Sequence, residues 1–431
     1  EVFHMISWSI EFEALASILN EKKNLAEALG ETSKKERLSK EDQKQLRSFL
    51  FRVLPEVRIL TFEEENLFPE VEKGSDEEKL NILALASLRI LKEDEEEAKV
   101  DFEAALSSLR LSLPADAFER IRKAVSKEIE IGDDVKEIPD YYNSLVLGIP
   151  EFLFTLLSTT LKPDEIAKSI FALQGPATLY GIPDLQKDPD FEKNHPELDS
   201  YPLASGFSLF RPKAGSSFGE LLHDNSLVLI TRIAAESLDV LPSVGISPRI
   251  LLWGEDNLSS LFFLSEKEKD VFGTEIVSAV KNSRRAEFLS DRVKELGLSS
   301  VRLLPTTLPL IKTYEKLASF DFVVARNASC SYGLSPMDPT SLINIEEKDL
   351  DKMAQEEMDE LTEMSLFVKP EGQLVFQTFT FDRKTTADIT KKFLSRNPLF
   401  ELVNETTLLP RKENSIGGYY ALFRRKKVEA K

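Results

Sequence analysis

The sequence predicts an α/β protein whose C-terminal half is a doubly wound, mostly parallel sheet, preceded by an all-α region and a small connecting α/β segment. Three observations support this. Residues 216–431 alternate strand and helix patterns, and residues 1–135 show helical spacing of apolar side chains. The run Phe322–Ala325 is continuously apolar, as in strands covered on both faces, and a small polar loop follows it. Ligands bind at the carboxyl ends of strands in such sheets, so this loop is the first place to expect a site.

The composition is that of a large globular protein, and it argues against a membrane span, a disulfide-bonded protein and a Cys-rich zinc protein. The chain has 431 residues, of which 42% are hydrophobic, enough for two or three domains. No apolar run reaches the roughly 18 residues of a membrane span, and the first residues lack the pattern of a signal peptide. One cysteine excludes an internal disulfide and a Cys-rich zinc site, and three distant histidines give no metal spacing. These features fit a reducing cytoplasm.

The charge argues against broad nucleic-acid binding, and we expect no DNA partner. The net charge is −19, whereas contact with phosphates needs Lys and Arg. The net charge does not exclude a local basic face on the surface. The candidates are Arg284–Arg285 and the tail Arg424–Lys427, and the alternative for both is ordinary solvated surface.

The helical region, residues 1–135, consists of amphipathic helices. One helix starts after Ser39, a residue type that caps helix N-termini, has two acids in its first turn, and ends at Pro55. The segment 77–97 is apolar enough for a central helix, and its acidic end, Glu93–Glu97, indicates a solvated loop rather than a metal site. No catalytic constellation is present, so we expect this region to bind or to pack.

The connecting segment, residues 136–215, combines two helices with a short strand. The first helix covers the apolar stretch from Phe152 to Leu157, and the second opens at Pro163, because proline suits the first turn of a helix. ATLYGI then predicts a short strand, and Asp184–Tyr201 predicts a loop.

The C-terminal half, residues 216–431, follows the order of a doubly wound sheet. SSFGELLHDNSLVLITRIAAESL predicts a loop and then a helix. Strands are predicted, with helices between most of them, in RILLW, VFGTEIVSA, VRLLP, FDFVVA, GQLVFQT, FELV and GGYYALF. The final strand follows a late turn, which predicts that it pairs antiparallel.

Several segments, in this order, resemble the Sun/Fmu-like RNA cytosine-5 methyltransferases. LSKEDQKQLRSFLFRVL and NILALASLRILKED resemble two helices of that family's NusB-like domain. GIPEFL stands at the family's Pro-x-Trp-Leu motif, and RAEFLSDRVKELGLSSV resembles its Arg-Leu-Gly-Leu-x-Asn-Val element. The resemblance implies a NusB-like domain over 1–135, a connecting RNA-binding-like subdomain over 136–215, and a class I, Rossmann-like methyltransferase domain over 216–431. It also implies S-adenosylmethionine as cofactor and RNA as partner, with ribosomal RNA as one candidate.

The resemblance places a cofactor site at the strand ends. The family's Ala-Ala-Pro-Gly-Gly-Lys-Thr loop corresponds to Trp253–Ser260, where one glycine, Gly254, is kept and the lysine is absent. Glu275 is predicted to end the second strand, where an acid would accept hydrogen bonds from ribose hydroxyls. Thr306–Thr307 replace the Asp expected after the third strand, and Asn327, after the fourth, completes the predicted cofactor-binding set. The alternative for Gly254 and Glu275 is an ordinary loop and an ordinary surface position.

The family's chemistry uses two cysteines. One adds to carbon-6 of cytosine, which makes carbon-5 nucleophilic, and the other assists product release. The attacking cysteine lies in a Thr-Cys-Ser motif, which here reads Thr378-Phe379-Thr380. The second lies in Asp-Ala-Pro-Cys-Ser-Gly, whose gap-free match starts at Arg326 and leaves Cys330 one position late. Cys330 is therefore the single candidate catalytic residue, and the alternative is a plain packed thiol.

Three functions stay open at this point. The chain is a drifted RNA cytosine-5 methyltransferase with impaired chemistry, or a non-catalytic relative that binds RNA or assists ribosome assembly and rRNA processing. The third alternative is a methyltransferase for nitrogen or oxygen, which needs positioning but no cysteine. The first and third require S-adenosylmethionine, and the degenerate Gly254 loop predicts that it binds weakly or not at all.

Overall fold

The structure is a computed structural model that describes residues 6–242, 247–254, 258–281, 283–327 and 332–427. The chain divides into two compact units. The first comprises Glu1–Gln174 with Met337–Glu347, and the second comprises Gly175–Pro336 with Lys348–Lys431. The two predicted helices of the connecting segment therefore belong to the first unit, and its predicted strand belongs to the second. The three-domain division at residues 136 and 216 stays a prediction.

The first unit is helical, as the apolar spacing predicted. Its helices are α1 (Trp8–Glu21), α2 (Leu25–Glu36), α3 (Lys40–Val53), α4 (Val57–Leu67), α5 (Asp76–Ala86), α6 (Glu95–Leu109), α7 (Ala117–Val125), α8 (Asp133–Lys136), α9 (Pro139–Val146), α10 (Glu151–Ser158), α11 (Pro163–Leu173) and α18 (Thr340–Ile343). A π-helical turn, Ser87–Leu91, continues α5.

Local chemistry sets the ends of these helices. The Ser39 hydroxyl accepts a hydrogen bond from the Asp42 amide at 3.1 Å, and the Asp42 carboxylate accepts one from the Ser39 amide at 3.1 Å, which forms a capping box on α3. Pro163 is the first residue of α11. Both predicted starts are confirmed. Helix α5 is buried from Glu78 to its end at Ala86, as expected for the predicted central helix of the core.

The second unit begins with a small antiparallel sheet. Its strands are β1 (Tyr180–Pro183), β2 (Leu198–Pro202), β3 (Ser208–Pro212) and β4 (Leu227–Ile230), in the order β2-β3-β1-β4, with helices α12 (Phe191–Asn194), α13 (Gly219–His223) and α14 (Arg232–Asp239). The short strand in ATLYGI is confirmed as β1. The prediction of a loop over Asp184–Tyr201 is wrong, since this segment contains α12 and most of β2. The prediction of a loop and then a helix over residues 216–238 missed strand β4.

The large sheet of the second unit has seven strands. They are β5 (Arg249–Trp253), β6 (Glu275–Val280), β7 (Val301–Pro305), β8 (Phe320–Asn327), β9 (Val368–Thr378), β10 (Phe400–Leu408) and β11 (Gly418–Arg425). Between or before them lie α15 (Leu258–Lys267), α16 (Ser283–Glu295), α17 (Ile311–Tyr314), α19 (Glu347–Ser365) and α20 (Ala387–Arg396). The strand order is β10-β11-β9-β8-β5-β6-β7.

The pairing confirms the predicted fold class. Strands β5 to β9 run parallel, and β11 is antiparallel to both β9 and β10. The apolar run Phe322–Ala325 lies in the middle of the sheet and is buried, because helices cover both faces. No helix of the described ranges is long and apolar enough to cross a membrane.

Four charged side chains close a network at the amino edge of the large sheet. Arg249 Nε donates to Glu275 Oε2 at 2.7 Å, and Arg249 Nη2 donates to Glu315 Oε2 at 3.0 Å. Arg302 Nη2 donates to Glu275 Oε1 at 3.0 Å and also pairs with Glu315. Burial raises the pKa of Glu275, but the hydrogen bonds from Arg249 and Arg302 outweigh it and leave the pKa below its ordinary value. This network ties together the starts of β5, β6 and β7.

Replacing Glu275 by Gln should destabilise the second unit by about 1–2 kcal/mol at neutral pH, because charge-assisted hydrogen bonds to two arginines are lost. A carboxylate whose pKa is lowered by folding stabilises the protein above its unfolded pKa, and that stability is lost as the pH falls through the folded pKa. The difference in the free energy of unfolding between Glu275→Gln and wild type should therefore become smaller below about pH 4. Urea unfolding followed by Trp253 fluorescence, in a Trp8→Phe background, measures it.

The matched control is Asp291→Asn, which removes an exposed ion pair with Lys294 on α16 and should change stability by under about 0.5 kcal/mol. A Glu275→Gln variant as stable as wild type, or a difference that does not depend on pH, would contradict the role of the network.

Candidate functional site

The candidate site lies at the carboxyl edge of the large sheet. Because β5, β8 and β9 are parallel neighbours, their carboxyl ends meet at this edge, with Trp253 opposite Ala325 and Ala325 opposite Phe376. The residues that follow these positions are the ones that the family motifs single out. The side chains found at this edge can therefore be compared with those that the family's chemistry requires.

Phe379, which stands where the family has its attacking cysteine, is part of the packed core. Its side chain is 1% exposed and lies in an apolar cluster with Ile233 and Ile416. The Gly333 amide donates to the Phe379 carbonyl at 2.7 Å. A Cβ atom at Gly333 would lie 2.2 Å from that carbonyl oxygen, so a residue with a side chain cannot make this approach. The chain that follows β8 is thus packed directly on the chain that follows β9.

Arg326, which stands where the family has an aspartate, reaches across the edge to Phe379. Its guanidinium carbon lies 4.9 Å from the centre of the Phe379 ring, a cation–π contact worth about 0.5–2 kcal/mol. Arg326 Nη1 donates to the Ser260 hydroxyl at 2.8 Å, and Ser260, on α15, is 2% exposed. One guanidinium therefore links the end of β8, the helix after β5 and the residue after β9.

A buried polar network lies beside this contact. The Tyr332 hydroxyl donates to Asp382 Oδ2 at 3.0 Å and accepts hydrogen bonds from the amides of Phe381 and Asp382. The Thr385 amide and hydroxyl donate to Asp382 at 2.9 and 2.6 Å. Burial, together with the charge of Asp382, raises the pKa of Tyr332 well above its ordinary value. Tyr332 is thus a fixed neutral donor rather than a nucleophile.

Glu357, on α19, faces the same network and is 1% exposed. Neither of its carboxyl oxygens has a hydrogen bond of ordinary geometry. Burial raises the pKa of Glu357 well above its ordinary value and the charge of Asp382 adds to this, while the Thr378 side chain opposes it. Burial therefore favours the protonated form of Glu357.

The structure brings together two of the predicted cofactor residues. Gly254 directly follows β5, with φ of 145°, a conformation that favours glycine. Asn327 ends β8, with its backbone opposite Thr378, while its side chain is outside the described part of the structure. Cys330, the candidate catalytic residue, also lies outside the described residues, in the segment 328–331.

The placement of Glu275 at the carboxyl end of a strand is wrong. Glu275 is the first residue of β6, and its carboxylate belongs to the network at the opposite edge. The strand ends at Val280, and the residue that follows is the exposed Lys281. An ammonium group donates hydrogen bonds but cannot accept them from ribose hydroxyls. Thr306 follows β7, is 8% exposed, and donates its amide to the Val280 carbonyl at 3.0 Å.

Among the described residues at this edge, none of the side chains supplies the acid expected for the ribose hydroxyls: the first residue after β6 is Lys281. The Arg326 guanidinium contacts Ser260 of α15 and the Phe379 ring. Within the described ranges, no group of three or more His, Cys, Asp or Glu side chains could hold a metal ion. The sequence identified Arg326 and Phe379 as departures from the family pattern, but their contact was missed. The available signal was that Arg326 is near the end of one central strand and Phe379 directly follows its neighbour.

No protein-family model matches the sequence, and no curated protein matches it. Solved structures do match. The protein PH0851 has a TM-score of 0.70 at 15% identity, covering 98% of this chain and 100% of that chain. A methyltransferase homolog protein from Pyrococcus horikoshii has a TM-score of 0.55 at 13% identity, covering 66% and 97%. NSun6 from Pyrococcus horikoshii has a TM-score of 0.51 at 12% identity, covering 62% and 96%. At these identities the likeness shows the fold, and the chain has the Rossmann-like fold of a methyltransferase homologue.

Proposed function

We propose that this chain is a relative of the Sun/Fmu-like RNA cytosine-5 methyltransferases that has lost cytosine-5 chemistry and acts as a non-catalytic RNA-binding or assembly protein. The single observation that carries the proposal is the contact between Arg326 and the buried ring of Phe379. The likeness to methyltransferase homologues supports the family, and the residues at the site support the loss.

The chemical argument concerns the nucleophile. Cytosine carbon-5 accepts a methyl group only after a nucleophile has added to carbon-6, which requires a thiolate or an equivalent group. A phenyl ring cannot add to the base. The neighbouring hydroxyls of Thr378 and Thr380 are fully buried and lie 3.2 Å apart in one hydrogen-bonded chain, so neither reaches a substrate. Among the described residues, the position of the attacker therefore holds no replacement.

Residues 326 and 379 both differ from the family pattern, and the two new side chains suit each other. An aspartate at position 326 would face Phe379 with a charge that the electron-rich face of the ring repels, whereas arginine is attracted to it. The arginine also gains the Ser260 hydroxyl as a partner. Arg326 and Phe379 thus stabilise each other and the packing of the edge, which favours a structural use of the former active-site positions.

Support for RNA binding comes from basic side chains at the carboxyl edge. Strand β10 runs parallel to β9, because both are antiparallel to β11, so the β10–β11 connection lies at the same edge as the ends of β6 and β9. The basic residues there are Lys281, Arg284, Arg285, Arg383, Lys384, Arg411 and Lys412. Arg383 is paired with Asp388, and Lys384 is paired with Asp351. Cationic side chains at this edge can provide the phosphate contacts that RNA binding needs, even in a chain of net charge −19.

The basic tail Arg424–Lys427 lies elsewhere. It ends β11, whose direction places it at the amino edge of the parallel strands. Of the two basic segments that the sequence offered, Arg284–Arg285 is thus the one beside the candidate site, and the tail supplies a matched control of similar charge.

Incubation with RNA that contains 5-azacytidine should give no denaturation-stable adduct, because covalent trapping requires the attacking thiolate that Phe379 replaces. Denaturing gel electrophoresis with labelled RNA measures this. A stable adduct that disappears in Cys330→Ser would show that Cys330 is a working nucleophile, and the proposed loss of cytosine-5 chemistry would be wrong.

The triple variant Lys281→Gln, Arg284→Gln and Arg285→Gln should bind single-stranded RNA about tenfold more weakly at about 50 mM salt, with a salt dependence reduced by about two to three phosphate contacts. Fluorescence anisotropy with a labelled oligonucleotide measures both quantities. The control, Lys426→Gln with Lys427→Gln, should bind as wild type does. Equal losses in both variants would indicate non-specific attraction, and absence of wild-type binding would remove RNA from the proposal.

A further inference from the structure

Phe288 is an exposed aromatic ring near the carboxyl edge of the large sheet. It lies on α16, which starts at Ser283, shortly after the end of β6. At 1.5 Å per residue, Phe288 is about 7.5 Å along the axis from the start of the helix. The core-facing side of α16 is formed by Ala286 and Leu289, which are buried, whereas Phe288 is 50% exposed. The ring is therefore a surface feature rather than part of the core.

The Arg285 guanidinium lies over this ring. Its central carbon is 4.9 Å from the centre of the Phe288 ring, which is within the range of a cation–π contact. In the described part of the chain six rings lie against an arginine, and five of them are buried or half-buried, so that Phe288 is the exposed one. The contact thus orients a ring that solvent, or a ligand, still reaches.

Basic side chains lie on the side of Phe288 that faces the carboxyl edge. Residues three and four positions apart share one side of a helix, and those at these distances before Phe288 are Arg285 and Arg284. Lys281, between β6 and the helix, is exposed. Glu287 is exposed as well, but it lies about 100° around the helix from Phe288. A phosphate chain that reaches this edge therefore meets cationic donors beside an aromatic ring.

Two acids of α16 lie further along the helix and are paired there. Asp291 pairs with Lys294 at 3.9 Å, and Glu295 pairs with Arg292. Arg292 also donates to the side-chain oxygen of Asn225 at 2.7 Å, which ties α16 to the turn before β4. The charges of the later turns are therefore balanced within the second unit, and the first turn of α16 remains the basic side.

A ring in these surroundings suits a nucleobase better than a protein partner. A protein hot spot needs an apolar surround that excludes water, whereas the other exposed side chains of α16 are polar or charged. Every base has a π face that stacks on an aromatic side chain, and arginines beside it bind phosphates. Bases inside a duplex are stacked on one another, so their faces are out of reach. The fitting ligand is therefore an unpaired base.

We propose that Phe288 is a stacking site for an unpaired base of RNA, and that Lys281, Arg284 and Arg285 bind the phosphates next to that base. The inference rests on the RNA-binding function proposed above and adds the class of RNA, which is a single strand or an unpaired loop. The base supplies contact area and the phosphates supply charge, so the two contributions can be removed separately.

The test compares labelled oligouridine with the same strand paired to oligoadenosine, by fluorescence anisotropy with the full-length chain at about 50 mM salt. Phe288→Ala should bind the single strand about tenfold more weakly, because one stacked base is lost, with an unchanged salt dependence, because no phosphate contact is lost. Its binding to the duplex should equal that of wild type. The matched control, Phe272→Ala, removes a ring that is 86% exposed in the turn before β6, at the amino edge, and should bind both RNAs as wild type does.

Two further variants separate stacking from simple apolar contact. Phe288→Leu keeps an apolar side chain without a π face, so it should bind the single strand as weakly as Phe288→Ala does. Phe288→Trp should bind it at least as tightly as wild type does. In a background with Trp8→Phe and Trp253→Phe, the fluorescence of this new side chain should be quenched by oligouridine and not by the duplex, because stacking brings the base onto the indole.

The inference is overturned if Phe288→Ala or Phe288→Leu binds oligouridine as tightly as wild type does, or if Phe288→Ala loses affinity for the duplex to the same extent as for the single strand. Either result leaves RNA binding itself intact. Failure of the proposed function has a different signature: wild type would bind neither RNA, and the inference would then be wrong as well.

Discussion

The Arg326 guanidinium lies between the Ser260 hydroxyl and the Phe379 ring, and the chemistry available at the carboxyl edge of the large sheet depends on that contact. It joins β8 to α15 and to the end of β9, three elements whose ends must stay open if a substrate and a cofactor are to meet there. The buried network around Asp382 then holds the end of β9 in place. In the function proposed here, packing occupies the positions that the resemblance assigns to catalysis.

The two edges of the sheet carry different kinds of charge. At the amino edge, two arginines and two glutamates neutralise one another, so the charges serve stability. At the carboxyl edge, basic side chains follow β6 and β9 and lie in the β10–β11 connection, and some of them are paired with acids. The helical unit, by contrast, is strongly acidic. Because the net charge is −19, any surface of this chain that attracts phosphates must be a small part of the whole.

Much of the fold could be predicted from the sequence, because its signals are local. The apolar run Phe322–Ala325, the cap at Ser39 and the alternation of strands and helices each follow from neighbouring residues. Of the small sheet, only β1 was predicted; β2, β3 and β4 were missed, since they have four or five residues and too few alternations to distinguish them from loops. Glu275 was misplaced, because the apolar stretch that forms β6 follows it instead of preceding it. The contact between Arg326 and Phe379 depends on the register of β8 against β9, which no local pattern encodes.

We propose above all that this chain cannot transfer a methyl group to carbon-5 of cytosine, because the phenyl ring of Phe379 stands where the attacking thiolate is needed. The most direct measurement is the transfer of tritium from methyl-labelled S-adenosylmethionine to RNA by the purified wild-type chain, with the heat-denatured chain as background. The account predicts incorporation at background level under conditions in which the same chain binds RNA. Repeated turnover that yields 5-methylcytosine in the digested RNA would contradict it.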